Sequence, residues 1–136
     1  MNEQNGAAVR QVNNLVGLSA QTGHVVTEDD SAARWGNELE VLATPVLLWL
    51  TEITAMKAID GAVPETEMTV GFAHDVRHLA PTPIGDTVRV TARLVEADGR
   101  KLIFEVSAAD SSATVLAGRH TRAIVNRVAF SARVRG

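Results

Sequence analysis

The sequence predicts an α+β domain, an antiparallel sheet with one long helix packed across it. Three observations carry this reading. The pair Thr44-Pro45 opens an apolar stretch that ends at Gly61 and Pro64, and Thr followed by Pro is a strong helix start. Beyond it the apolar period falls to two, the spacing of strands with one buried face. The strands are joined by turns too short for a crossover helix, so neighbours run antiparallel.

The elements follow in order. Residues 1–17 are polar with no clear period and read as a flexible arm or short helix, leaving residues 18–136 as a single domain. Ser19 to Thr27 is a first strand, broken by Glu28-Asp29-Asp30. The helix is expected from Thr44 to Asp60. Val70, Phe72, His74, Val76 and His78 then alternate with Gly71, Ala73, Asp75 and Arg77, up to a turn containing Pro81, Pro83 and Gly85. Val88, Val90, Ala92 and Leu94 mark the next strand, and Asp98-Gly99 turns it into Leu102, Phe104, Val106 and Ala108. A last strand is expected from about Thr114 to Val128. One helix covers one face of such a sheet, so a homodimer is a natural way to bury more surface, and the sequence leaves open whether dimers pair into a tetramer.

Composition narrows the function. A length of 136 residues fits one domain, and 46% hydrophobic against 21% charged residues is a globular balance. The net charge of -3, with no basic run, speaks against nucleic acid as a partner. No cysteine is present, so disulfides, thiolate metal sites and a cysteine nucleophile are excluded. Residues 1–16 lack a signal pattern, and the longest apolar stretch, Val46 to Leu50, is far below the roughly 20 residues of a membrane helix. A cytoplasmic protein with no membrane partner is expected.

On a helical wheel of about 100° per residue, Thr51, Thr54, Lys57 and Asp60 share an arc expected to face water. Glu52 lies elsewhere, among Leu48, Trp49, Ala55, Met56 and Ile59. A carboxylate in an apolar stripe reaches solvent at its edge, pairs with an arginine, or serves catalysis. His74 and His78 fall on the apolar face of their strand; they are core histidines, acid–base groups, or metal ligands together with Glu52. No HExxH pattern supports a metal, and none is expected. Thr44 is a plain N-cap or part of an oxyanion site, since a helix N-terminus presents free N–H groups. GxGxxG, GxxxxGK[ST] and GxSxG motifs are absent.

These residues together resemble the hotdog-fold thioesterases, most closely the fluoroacetyl-CoA thioesterase branch. Three segments carry the likeness: Ala43-Thr44 with Glu52 eight residues on; His78-Leu-Ala-Pro-Thr-Pro-Ile-Gly85; and Gly118-Arg119-His120-Thr121-Arg122-Ala123. The resemblance implies a hotdog fold, its sheet wrapped around a long central helix, with Thr44, Glu52 and His78 as the catalytic set. It also implies Gly71 and Arg122 as positions near the acyl-CoA site; Pro45, at the helix start, and Trp35 are expected as further substrate-binding residues. Trp35 is the only aromatic between Ser31 and Leu42, fewer than the fluoroacetyl enzyme carries, which leaves the acyl group open.

The expected reaction is hydrolysis of an acyl-CoA or acyl-carrier thioester to acid and thiol, without cofactor or metal. Helix amides would polarise the carbonyl, Glu52 would attack or activate water, and His78 would handle protons. A hydratase or dehydratase on the same fold and a non-catalytic acyl-binding protein are the rivals.

Overall fold

The computed structural model describes residues 14–135; the arm expected over residues 1–17 lies mostly outside them. Five strands, β1 (Ser19–Val25), β2 (Glu67–His78), β3 (Thr87–Asp98), β4 (Lys101–Ala109) and β5 (Thr114–Asn126), form one sheet in the order β1-β3-β4-β5-β2, every neighbour antiparallel. Helix α1 (Thr44–Ala58) crosses it, packing chiefly on β3 and β1. The helix-facing rows are those that the alternation marks: Val88, Val90, Ala92 and Leu94 on β3, and Leu102, Phe104, Val106 and Ala108 on β4, all buried against Leu47, Leu50 and Ala55. No described helix is long and apolar enough to cross a membrane.

Five expectations are corrected. Helix α1 ends at Ala58, with Ile59 as its C-cap, one turn of chain before Gly61. Its N-cap is Ala43, so Thr44 is the first helical residue and its hydroxyl caps nothing. The arc expected to face water is half wrong: Thr51 and Thr54 are fully buried. Their hydroxyls reach carbonyls of the preceding turn, Leu48 O at 2.7 Å and Leu50 O at 2.6 Å. Thr54 also lies 2.8 Å from the Thr22 hydroxyl on β1. A buried hydroxyl without a partner costs about 1–3 kcal/mol, and these bonds remove that cost. In their stead, Trp49 (52%) and Met56 (40%) of the apolar stripe stand exposed.

Fourth, β5 stops at Asn126. The Asn126 side chain accepts from Ala129 N at 2.9 Å and caps a second helix, α2 (Arg127–Arg135), so Val128 is helical rather than extended. Fifth, the β2 alternation is broken. Gly71 pairs with Arg122, but Ala73, not Phe72, pairs with Thr121. Phe72 is the extra residue of a β-bulge. Val70 and Phe72 therefore fall on the outer face, where Lys101 Nζ sits 3.6 Å over the Phe72 ring, while His74, Val76 and His78 face inward.

Candidate active site

Two polar clusters line the side of α1 next to β2. The first is at the start of the helix. With Ala43 as the cap, the Thr44 hydroxyl is free to meet the last residue of β2, and Oγ1 lies 2.8 Å from Nδ1 of His78. The other ring nitrogen, Nε2, is buried without a hydrogen-bond partner. Thr44 and Pro45 are exposed, and Leu42, Leu79 and Pro81 line the cleft beside them. The first-turn amides of a helix have no partner within it, so this end offers donors, a hydroxyl and an imidazole together.

The second cluster lies two turns along α1. Gly71 has no side chain, and a β-carbon built there would collide with Oε1 of Glu52; the carboxylate fills the space the glycine leaves. Arg122 Nη1 donates to that same Oε1 at 3.0 Å. The guanidinium is itself fixed, Nε donating to Thr69 Oγ1 at 2.9 Å and Nη2 to Thr69 O at 3.1 Å. Burial lowers the Arg122 pKa, and the bond and charge of Glu52 oppose the shift.

Below Arg122 lies His120, fully buried. Its Nδ1–H donates to the Ala73 carbonyl at 3.0 Å, which leaves Nε2 to accept from Arg122 Nη1 at 3.1 Å. Burial, with the nearby cations opposing a further charge, pushes this imidazole down to about 4. It is neutral at pH 7. The His74 ring stacks on it, centroids 4.2 Å apart and planes 16° apart, with Nε2 3.6 Å from Glu52 Oε2.

Glu52, His74 and His120 thus place three donor atoms within 4.8 Å of one another, a grouping with metal-ligand character. The guanidinium of Arg122 already donates to two of them, and a cation held by both Glu52 and His120 would meet that positive charge at contact distance. The cluster favours a bound arginine over a bound ion.

The expected catalytic residues are therefore divided within one chain. Thr44 and His78 touch each other; Glu52 sits with Gly71 and Arg122, about 12 Å further along the helix by its rise. Trp35 lies in a short 3-10 turn, 59% exposed and in neither cluster. His120 was not singled out for a role by sequence. Its signal is the alternation Gly118, His120, Arg122, which puts all three on the inner face of β5. Gly118 has its own reason: a side chain there would run into the β2 backbone at Asp75 and Val76.

Comparison with known proteins fits this arrangement. The family model described as fluoroacetyl-CoA-specific thioesterase matches residues 26–128. The fluoroacetyl-CoA thioesterase of Streptantibioticus cattleyicolor is 38% identical over 96 residues, covering 71% of this chain and 69% of that one. A solved variant of fluoroacetyl-CoA thioesterase in complex with acetyl-CoA superposes with a TM-score of 0.83 at 31% identity, covering 88% of this chain and 96% of the other. A thioesterase superfamily member of Thermus thermophilus superposes with a TM-score of 0.81 at 27% identity, over 88% and 90% of the two chains. With the family model matching most of its length and the sheet wrapped on α1 as in these relatives, the chain belongs to the fluoroacetyl-CoA-specific thioesterase family and is a hotdog-fold thioesterase.

Proposed function

We propose that the protein hydrolyses short acyl-CoA thioesters at a site built from Thr44, Glu52 and His78. The observation that carries this reading is the carboxylate of Glu52. Arg122 holds Oε1, Gly71 gives it room, and Oε2 is left for chemistry. Solved relatives carry CoA together with fluoroacetate, or acetyl-CoA, which supports CoA as the donor.

In this mechanism the thioester carbonyl oxygen lies at the N-terminus of α1. Free amides of the first turn, excluding Pro45 which has none, and the Thr44 hydroxyl stabilise the developing oxyanion. Glu52 takes a proton from water as the water oxygen bonds the carbonyl carbon. The C–S bond then breaks, and His78, oriented by Thr44, gives a proton to the thiolate and regains one from solvent, while Glu52 sheds its proton before the next turnover. A thiolate leaves readily, so the chain's own groups suffice.

One carbonyl cannot reach both Thr44 and Glu52 of one helix. The reading therefore includes a two-fold dimer in which the helix start of one copy lies beside Glu52 of the other. Two surfaces support it. Strand β2 is an edge of the sheet, with no neighbouring strand on its outer side among the described residues. Trp49 and Met56 lie exposed on the neighbouring helix.

Thiol release from a panel of acyl-CoAs and acyl-carrier thioesters tests the substrate, and Glu52→Gln tests the site. The variant should stay folded and lose at least about 10²-fold in turnover. Retention of more than about a tenth of native activity would make Glu52 a structural partner of Arg122.

A further inference from the structure

The geometry points to His74 as a second histidine of the reaction, a positioning residue that acts through Glu52 and takes up the proton the carboxylate removes from water. This rests on Glu52 as the base in thioester hydrolysis.

Each oxygen of Glu52 has a different neighbour. Oε1 accepts from Arg122. Oε2, the other oxygen, lies 3.6 Å from Nε2 of His74. That is beyond a hydrogen bond, and within the reach of a small rotation or of one water lying across both atoms.

The strand is shaped to bring the imidazole there. Residues 71 and 74 are an odd number apart, so in an unbroken strand they would point to opposite faces. The bulge at Phe72 puts both inward: Gly71 to make room for the carboxylate, His74 to flank it. The ring plane is then set by stacking on His120, which the Ala73 carbonyl and Arg122 hold in place. The charged and titratable groups facing His74 are Glu52 from α1 and His120 and Arg122 from β5. Only Glu52 is anionic.

The proton path balances. Water gives its proton to Oε2 and its oxygen to the carbonyl carbon. The Oε2 proton passes to Nε2 of His74, which restores the carboxylate before the next turnover. His74, with 23% of its side chain exposed, releases the proton to solvent. The water's second hydrogen leaves with the product acid, and the thiolate is protonated separately by His78, which regains a proton from solvent.

The test uses His74→Ala and His74→Gln, with Glu52→Gln as control, in the full-length protein. His74→Ala should lower kcat at least about tenfold with KM little changed, and added imidazole should restore much of the loss as a saturable function of its concentration. In the native enzyme two groups must be unprotonated, so the acid limb of kcat against pH should steepen toward a slope of about two. In His74→Gln only Glu52 remains and the slope should be about one. Native kcat in His74→Ala overturns the inference. So does a loss that imidazole does not repair with the acid limb of His74→Gln unchanged, which marks a packing role. Should His74→Ala fail to fold, the slope in His74→Gln decides alone. An active Glu52→Gln would sink the underlying reading instead; an inactive one beside a fully active His74→Ala removes only His74.

Discussion

Gly71 and Glu52 occupy one volume between them: the carboxylate oxygen that Arg122 binds sits where a β-carbon of residue 71 would have to be. The pair couples an edge strand to the central helix without a bond between them.

Gly71→Ala should therefore act as a mutation of Glu52. The backbone at residue 71 is in the sheet ladder and accepts alanine, so stability should change by no more than about 1–2 kcal/mol. Turnover should fall at least about 10²-fold as the carboxylate is pushed off Arg122. Thermal melting and thiol release, measured side by side, check this; near-native turnover in Gly71→Ala would mean Glu52 has another working position.

Thr44 is the residue whose hydroxyl orients His78. Thr44→Ser keeps that hydroxyl and should retain most activity, while Thr44→Val keeps the shape and should lose about tenfold or more. Since Thr44 caps no amide, neither change should alter helix stability by more than about 0.5 kcal/mol. Equal rates in the Val and Ser variants would show that the hydroxyl takes no part.

Much of this architecture was legible in the sequence because it follows from periodicity. The rows Val88 to Leu94 and Leu102 to Ala108 alternate without interruption, and both are buried as read. What escaped has physical causes. A bulge adds one residue without changing composition, and its mark here is a lone glycine inside a strand, Gly71. Thr51 and Thr54 look polar on a wheel, yet each satisfies its hydroxyl within its own helix and can face the core. The α2 helix hung on reading Asn126 as a cap in a segment of valines and arginines. The candidate residues Thr44, Glu52 and His78 stood out by type and motif. Their division into two clusters did not, because it depends on helix rise and on which strand edge lies beside which turn.

Burial of His120 gives stability a pH dependence of definite sign. Its folded value of about 4 lies below the ordinary 6.5, so between those limits the unfolded chain binds a proton the native state refuses. Stability should fall as pH drops from 6.5 toward 4 and be unaffected by this group above 6.5. The full shift corresponds to about 3 kcal/mol. Urea unfolding at pH 7.0 and 4.5 should cost native protein about 2 kcal/mol more than it costs His120→Gln, whose own stability at pH 7.0 sets its baseline. Parallel losses in both proteins would show that His120 is protonated or exposed before unfolding.

The separation of Thr44 from Glu52 along one helix makes a test of the dimer possible with inactive proteins alone. At 1.5 Å per residue the two lie about 12 Å apart on α1, too far for one thioester carbonyl. If each site takes Thr44 from one copy and Glu52 from its partner, a heterodimer of Thr44→Ala with Glu52→Gln holds one site with both changes and one with neither. Random reassortment makes about half the dimers mixed, each with one good site, so activity should return to about a quarter of native. The mixture must be unfolded and refolded together, because the exposed edge of β2 and the Trp49–Met56 stripe would otherwise stay paired in the parent dimers. Parents refolded separately should remain inactive, which rules out repair during refolding. A co-refolded mixture that stays inactive, beside native protein that recovers fully, would place Thr44 and Glu52 in service of the same chain. The helix would then have to bring its two clusters to the substrate in separate steps.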